Sequence, residues 1–198
     1  MGVVTTLGIG IWNHPSSQAP GPQIINNAPI SPPGHPVASS LAGPKCSDAH
    51  QGDVCVELNS TAVTGPRTDN LDTKPNSSLA VRIEYENKGT ADVHDVILKV
   101  TVPDQFVQAI DGSTRVWNSV VPQGGPVESN ELSRGGVNVG AYAPNGNVYL
   151  EQLFLVRDVS RFTCGANAFE VTVVAQVGNT TTQDAATARV ERQCGPGA

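Results

Sequence analysis

Residues 76–103 read NSSLAVRIEYENKGTADVHDVILKVTVP, two alternating runs about a turn. In its first half Leu79, Val81, Ile83 and Tyr85 fall on one side of an extended chain. Arg82, Glu84 and Glu86 fall on the other. A period of two is the mark of a strand with one buried and one wet face. Asn87-Lys88-Gly89 supplies turn chemistry, because Asn and Gly accept the backbone angles a reversal needs. The alternation then resumes with Val96, Leu98, Val100 and Val102 pointing inward. Pro103 closes it, since proline has no N–H to give a ladder.

Downstream, Phe169, Val171, Val173, Ala175 and Val177 repeat the pattern, with Val174 the one breach. Strands are also expected at 54–63, 106–110, 114–118, 136–142, 147–157 and 180–191. Turn signals separate them: Asp111-Gly112, Gly124-Gly125-Pro126, Pro144-Asn145-Gly146 and Gly178-Asn179. Short strands between such signals, without a sustained helical stripe, predict an all-β chain. The expected architecture is an immunoglobulin-like antiparallel sandwich of two sheets over residues 45–198. Glu57, Glu84, Glu86, Glu151 and Glu170 alternate away from the core and read as solvent-facing.

The cysteines are Cys46, Cys55, Cys164 and Cys194, an even number with no close pair of the kind zinc sites use. A two-residue turn at Gly178-Asn179 makes opposed residues sum to 177 + 180 = 357, and a three-residue loop makes 358. Cys164 and Cys194 sum to 358, so either register brings them within bridging distance. Cys46 and Cys55 are left as a short loop at the start of the domain. The expected bridges are therefore 164–194 and 46–55, formed in an oxidising compartment.

Upstream of the sandwich the composition changes. Residues 1–44 carry no Asp, Glu, Lys or Arg, yet hold Pro15, Pro20, Pro22, Pro29, Pro32, Pro33, Pro36 and Pro44. Segment 13–44 reads as a Pro-rich flexible linker, because so few large apolar groups cannot offset its ordering entropy. Residues 1–12 (MGVVTTLGIGIW) are apolar and end in Trp12. At about half the length of a membrane span, they read as the remnant of an export or anchor segment, and hence as a membrane tether.

The whole chain has 198 residues and a formal charge of −6, which argues against nucleic-acid binding. No nucleophile elbow, zinc-protease helix motif, dinucleotide fingerprint or phosphate loop occurs, and no catalytic residue, metal or cofactor is assigned. His94 between Asp92 and Asp95 reads as a solvated tip. Candidates for ligand contact are the aromatic residues Trp117, Tyr142 and Tyr149.

The run 76–103, with its Asn-x-Gly turn and closing proline, resembles the repeat domains of unknown function found in bacterial surface proteins. The stretch Gly136-Val137-Asn138-Val139-Gly140-Ala141-Tyr142-Ala143-Pro144 is similar to their later hairpin, in versions from secreted actinobacterial proteins. The resemblance implies an extracellular or cell-surface location and a structural or adhesive, non-enzymatic role. It implies a cell-envelope component or another surface protein as partner, and leaves self-association open. A secreted module binding a glycan or peptide is the alternative. The chain departs from the family in having one copy and two expected disulfides.

Overall fold

The computed structural model describes residues 46, 53–60, 67–127 and 131–195. The readings of 1–12 and 13–44 lie outside the described residues. Among the described residues eleven strands form two sheets. In chain order they are β1 (Val54–Asn59), β2 (Asn70–Thr73), β3 (Ser78–Glu86), β4 (Val93–Thr101), β5 (Val107–Ala109) and β6 (Arg115–Trp117). There follow β7 (Gly125–Pro126), β8 (Val137–Tyr142), β9 (Asn147–Val156), β10 (Gly165–Val177) and β11 (Thr180–Arg192), with a short helical turn α1 (Glu131–Arg134) before β8 and a 3-10 turn (Val159–Arg161) before β10.

The first sheet has the order β1-β3-β9-β6-β7, with β5 also on β9, and the second β2-β11-β10-β4-β8. Alternation explains the packing. Val54, Val56 and Leu58 stand opposite Tyr85, Ile83 and Val81, which with Leu79 stand opposite Val148, Leu150, Gln152 and Phe154 of β9. The facing layer is Val96, Leu98 and Val100 of β4, Val171, Val173 and Ala175 of β10, and Ala186, Ala188 and Val190 of β11, all buried. Close-packed β-branched residues on two such faces are what a pleated surface accommodates best.

The sandwich is all-β and immunoglobulin-like as expected, but Gly125-Pro126, read as part of a turn, forms β7 against β6, and two further differences concern β2 and β1. β2 runs parallel to β11 instead of antiparallel. Its sequence, Asn70-Leu71-Asp72-Thr73, is too polar and short to announce a strand, and it forms because β11 offers an edge. The first expected strand also stops at Asn59.

The terminal hairpin has the two-residue turn. Val177 opposes Thr180 and the ladder runs without slip to Gly165 opposite Arg192. Every pair sums to 357, which leaves Cys164 one residue and Cys194 two residues beyond the last pair. They are disulfide-bonded, with Cα atoms 5.7 Å apart. Cys46 is bonded to Cys55 of β1, Cα atoms 6.4 Å apart.

At one end of the sandwich Asn87 joins two turns. Its N–H donates to Gly146 O at 2.9 Å and its carbonyl accepts from Asn145 N–H at 2.7 Å. Its side-chain amide donates to Ala91 O and to Tyr142 O, each at 2.9 Å. One asparagine thus ties the β3–β4 connection to the β8–β9 turn. Asn145 occupies the left-handed region (φ 63°), which asparagine tolerates better than most residues.

Candidate functional site

The outer face of the first sheet is where the described residues gather charge and aromatic rings. Pairing sets Glu57 opposite Arg82, Arg82 opposite Glu151 and Glu151 opposite Arg115. The result is one row of alternating sign across β1, β3, β9 and β6, the favourable cross-strand arrangement. The neighbouring row runs Cys55, Glu84, Tyr149, Trp117.

This face is not wet. Glu57 is 7%, Glu84 6% and Tyr149 1% exposed. Glu57, Glu84 and Glu151 therefore do not serve as the solvent-facing residues their alternation implies. They point away from the core, as read, but that face is itself covered. Cys46, bonded to Cys55, is one of the covering residues, and its N–H donates to Glu84 Oε2 at 2.8 Å. Arg67 is another, its guanidinium 3.8 Å from the Glu151 carboxylate. Arg67 is brought there by Thr68, which exchanges backbone hydrogen bonds with Leu58 of β1 at 2.9 and 3.1 Å. Glu170 on the second sheet is exposed, as expected.

The electrostatics follow from this covering. Burial lifts the Glu151 carboxyl above its ordinary value even though Arg67, Arg82 and Arg115 pull it down. Burial, then the neighbouring Arg67, lowers Arg82. The Tyr149 hydroxyl is pushed up to about 12, by burial first and then by the Glu84 charge. Asn147 Nδ2 donates to that hydroxyl at 3.0 Å.

Of the three aromatic candidates, two come together. Trp117 stands directly opposite Tyr149. Arg82 lies over the Tyr149 ring at 4.5 Å and Arg115 over the Trp117 ring at 5.9 Å. Trp117 does not enter the core; it is half-buried on the outer face. Its indole lies against Gly124 (φ +78°), where a Cβ would collide with Nε1. Tyr142 is elsewhere, on β8, with its ring edge-to-face on the core residue Tyr85 at 5.8 Å. Its hydroxyl donates to Val139 O at 2.6 Å, and burial raises its pKa. It serves the packing rather than this face.

The Cys46 and Cys55 sulfurs and a Glu84 oxygen lie within 4.8 Å of one another. Joined as a disulfide, the sulfurs have no thiolate to offer a metal, and the cluster reads as a staple buttressed by a carboxylate. Asp95, in a bulge where β4 shifts register against β8, accepts from Asn138 Nδ2 at 3.1 Å. His94 beside it is exposed, but it lies at the start of β4 and not in a loop tip as the sequence suggested. Sequence reasoning missed Arg67, Arg82, Glu151 and Arg115 as a group. Alternation does place Arg82, Glu151 and Arg115 on the outer side of β3, β9 and β6, but nothing in the sequence brings Arg67, which lies outside every strand, to them.

No protein-family model matches the chain. Nor does any curated protein match it in sequence. Among solved structures it is similar to BcpA, the major pilin subunit of Bacillus cereus, at 9% identity and a TM-score of 0.43, over 69% of this chain and 39% of that one. It is similar also to the CooA pilin subunit of enterotoxigenic Escherichia coli, at 12% identity and TM-score 0.34, over 70% and 99% of the two chains. A third is the C-terminal domain of the Streptococcus agalactiae AgI/II polypeptide BspA, at 9% and 0.41, over 68% and 49%. The chain thus spans about two fifths of the length of the B. cereus pilin. Likeness of this degree says nothing about activity, so the functional reading rests on the residues.

Proposed function

We propose that this chain contributes a non-enzymatic β-sandwich domain, residues 45–198, that works outside the cytoplasm in a structural or adhesive role. The Pro-rich segment 13–44 is its tether. The observation that carries the reading is the pair of disulfides, one closing the start of β1 and one closing the terminal hairpin. Disulfides form and persist where thiols are not kept reduced. The immunoglobulin-like architecture suits a spacer or contact domain at the cell envelope. No helix among the described residues is long and apolar enough to cross a membrane. Labelling intact source cells with a membrane-impermeant reagent tests the location: label on the full-length chain before lysis supports it, and label only after lysis contradicts it.

One observation favours the second reading, a module that binds a glycan or peptide. Trp117 and Arg115 stand at the rim of the charged face, half-buried and exposed respectively. An aromatic face beside a guanidinium is suited to stacking on a sugar or planar side chain. Glycan and peptide arrays probed with the chain and with Trp117→Ala decide it; binding that survives the substitution removes Trp117 from the contact.

A further inference from the structure

Two polar side chains lie inside the sandwich where the pattern calls for apolar ones. β6 pairs β9 with Arg115 opposite Glu151 and Val116 opposite Leu150. Carried back one residue, that register sets Thr114 opposite Gln152. Opposed residues share a face, so Thr114 turns inward with Val116, and Gln152 with Leu150. Both are 0% exposed. Thr114 Oγ1, Gln152 Oε1 and Gln152 Nε2 have no hydrogen-bond partner among the described residues. The flanking residues are apolar: Val81 opposes Gln152 on β3, with Leu150 and Phe154 on either side along β9. The Thr114 carbonyl is already taken by the Val127 N–H at 2.9 Å.

Three unpaired polar atoms at one point in an apolar layer require an explanation, because buried polar groups are almost always satisfied. We infer that Thr114 and Gln152 together hold one internal water molecule. Water donates to Gln152 Oε1 and to Thr114 Oγ1 and accepts from Gln152 Nε2, which gives the two to four partners a buried water needs. The consequence reaches the outer face. β6 is three residues long and β7 two, and a slip of one residue would turn Arg115 and Trp117 inward and Val116 outward. Only the observed register gives Thr114 and Gln152 each other. The bridged pair is a positioning device that sets Arg115 and Trp117 beside Glu151 and Tyr149.

The direct test is a water-to-protein nuclear Overhauser measurement on the full chain. A long-lived contact between water and the Gln152 side-chain amide protons is expected, and its absence overturns the inference. Denaturant unfolding of Thr114→Val, Gln152→Leu and the double variant tests the sharing. Either single substitution strands the other group and raises the unfolding constant about tenfold. The double variant strands neither and falls well short of the product of the two. Additive effects overturn the shared water. In a Trp12→Phe background Trp117 is the sole reporter, and its emission shifts in the single variants if the pair sets the register; unchanged emission refutes the positioning role. Peptide mapping needs no variant: a wild-type cross-linked peptide pair lighter by one ammonia, with the link located at Thr114 and Gln152, would show Thr114 Oγ1 bonded to Gln152 Cδ and would overturn the water in favour of a covalent link.

Discussion

The two sheets present the same alternating sequence code on their outer faces and put it to different uses. On β10 and β4, Glu170 and Lys99 stand exposed. On β1, β3 and β9 the residues in equivalent positions, Glu57, Arg82, Glu84, Tyr149 and Glu151, are buried or nearly so. A charged group on the outer face of the second sheet sits in water and contributes little. On that of the first sheet it has lost water and depends on its neighbours. Alternation along one strand shows which residues leave the core. It does not show whether another segment of chain lies over them.

The sharpest way to break the contrast is to remove a charge from the covered row. Glu151→Ala leaves Arg67, Arg82 and Arg115 without their common partner, and a loss of about 2–4 kcal/mol in denaturant unfolding is expected. An effect as small as a surface substitution would show that the row is solvated after all. Next in size is Gly124→Ala. A Cβ there would meet the Trp117 indole, and the backbone is left-handed (φ +78°). A loss of about 1–3 kcal/mol is expected, with a changed Trp117 emission that ties the effect to the outer face.

Alkaline pH separates the faces without a change of volume. The folded Tyr149 holds its proton up to about 12, whereas an unfolded tyrosine titrates near about 10. The folded state binds more protons in that interval. Its stabilising contribution is therefore complete below the unfolded value and is lost as the pH climbs through the folded one. Tyr149→Phe should flatten the fall in stability above pH about 10; an unchanged alkaline limb would contradict the burial of this hydroxyl. Glu151 has the same sign at lower pH: its raised pKa means stability declines as the pH rises through the carboxylate range. Smallest of all, Glu170→Ala or Lys99→Ala on the second sheet should stay within about 0.5 kcal/mol, and a larger loss would show that face to be covered too.

The core and the hairpins were legible because they depend on local periods. Leu79 to Tyr85 and Val96 to Val100 carry their inward face in their own spacing, and the Gly178-Asn179 turn fixes a ladder that places Cys164 by Cys194. The charged row was not legible, because Arg67 belongs to no strand and reaches Glu151 only through the Thr68–Leu58 bridge. Gln152 was hidden for the opposite reason: a polar residue in an apolar parity looks like a surface residue until its cross-strand partner Thr114 is known. β2 depends wholly on an edge supplied by β11.

Mapping the cysteines of the chain isolated from its source cells, alkylated in denaturant and digested without reductant, shows whether the sandwich is stapled twice in an oxidising compartment. Two linked peptide pairs, Cys46 with Cys55 and Cys164 with Cys194, and no alkylated thiol are expected. Four alkylated cysteines would overturn the reading.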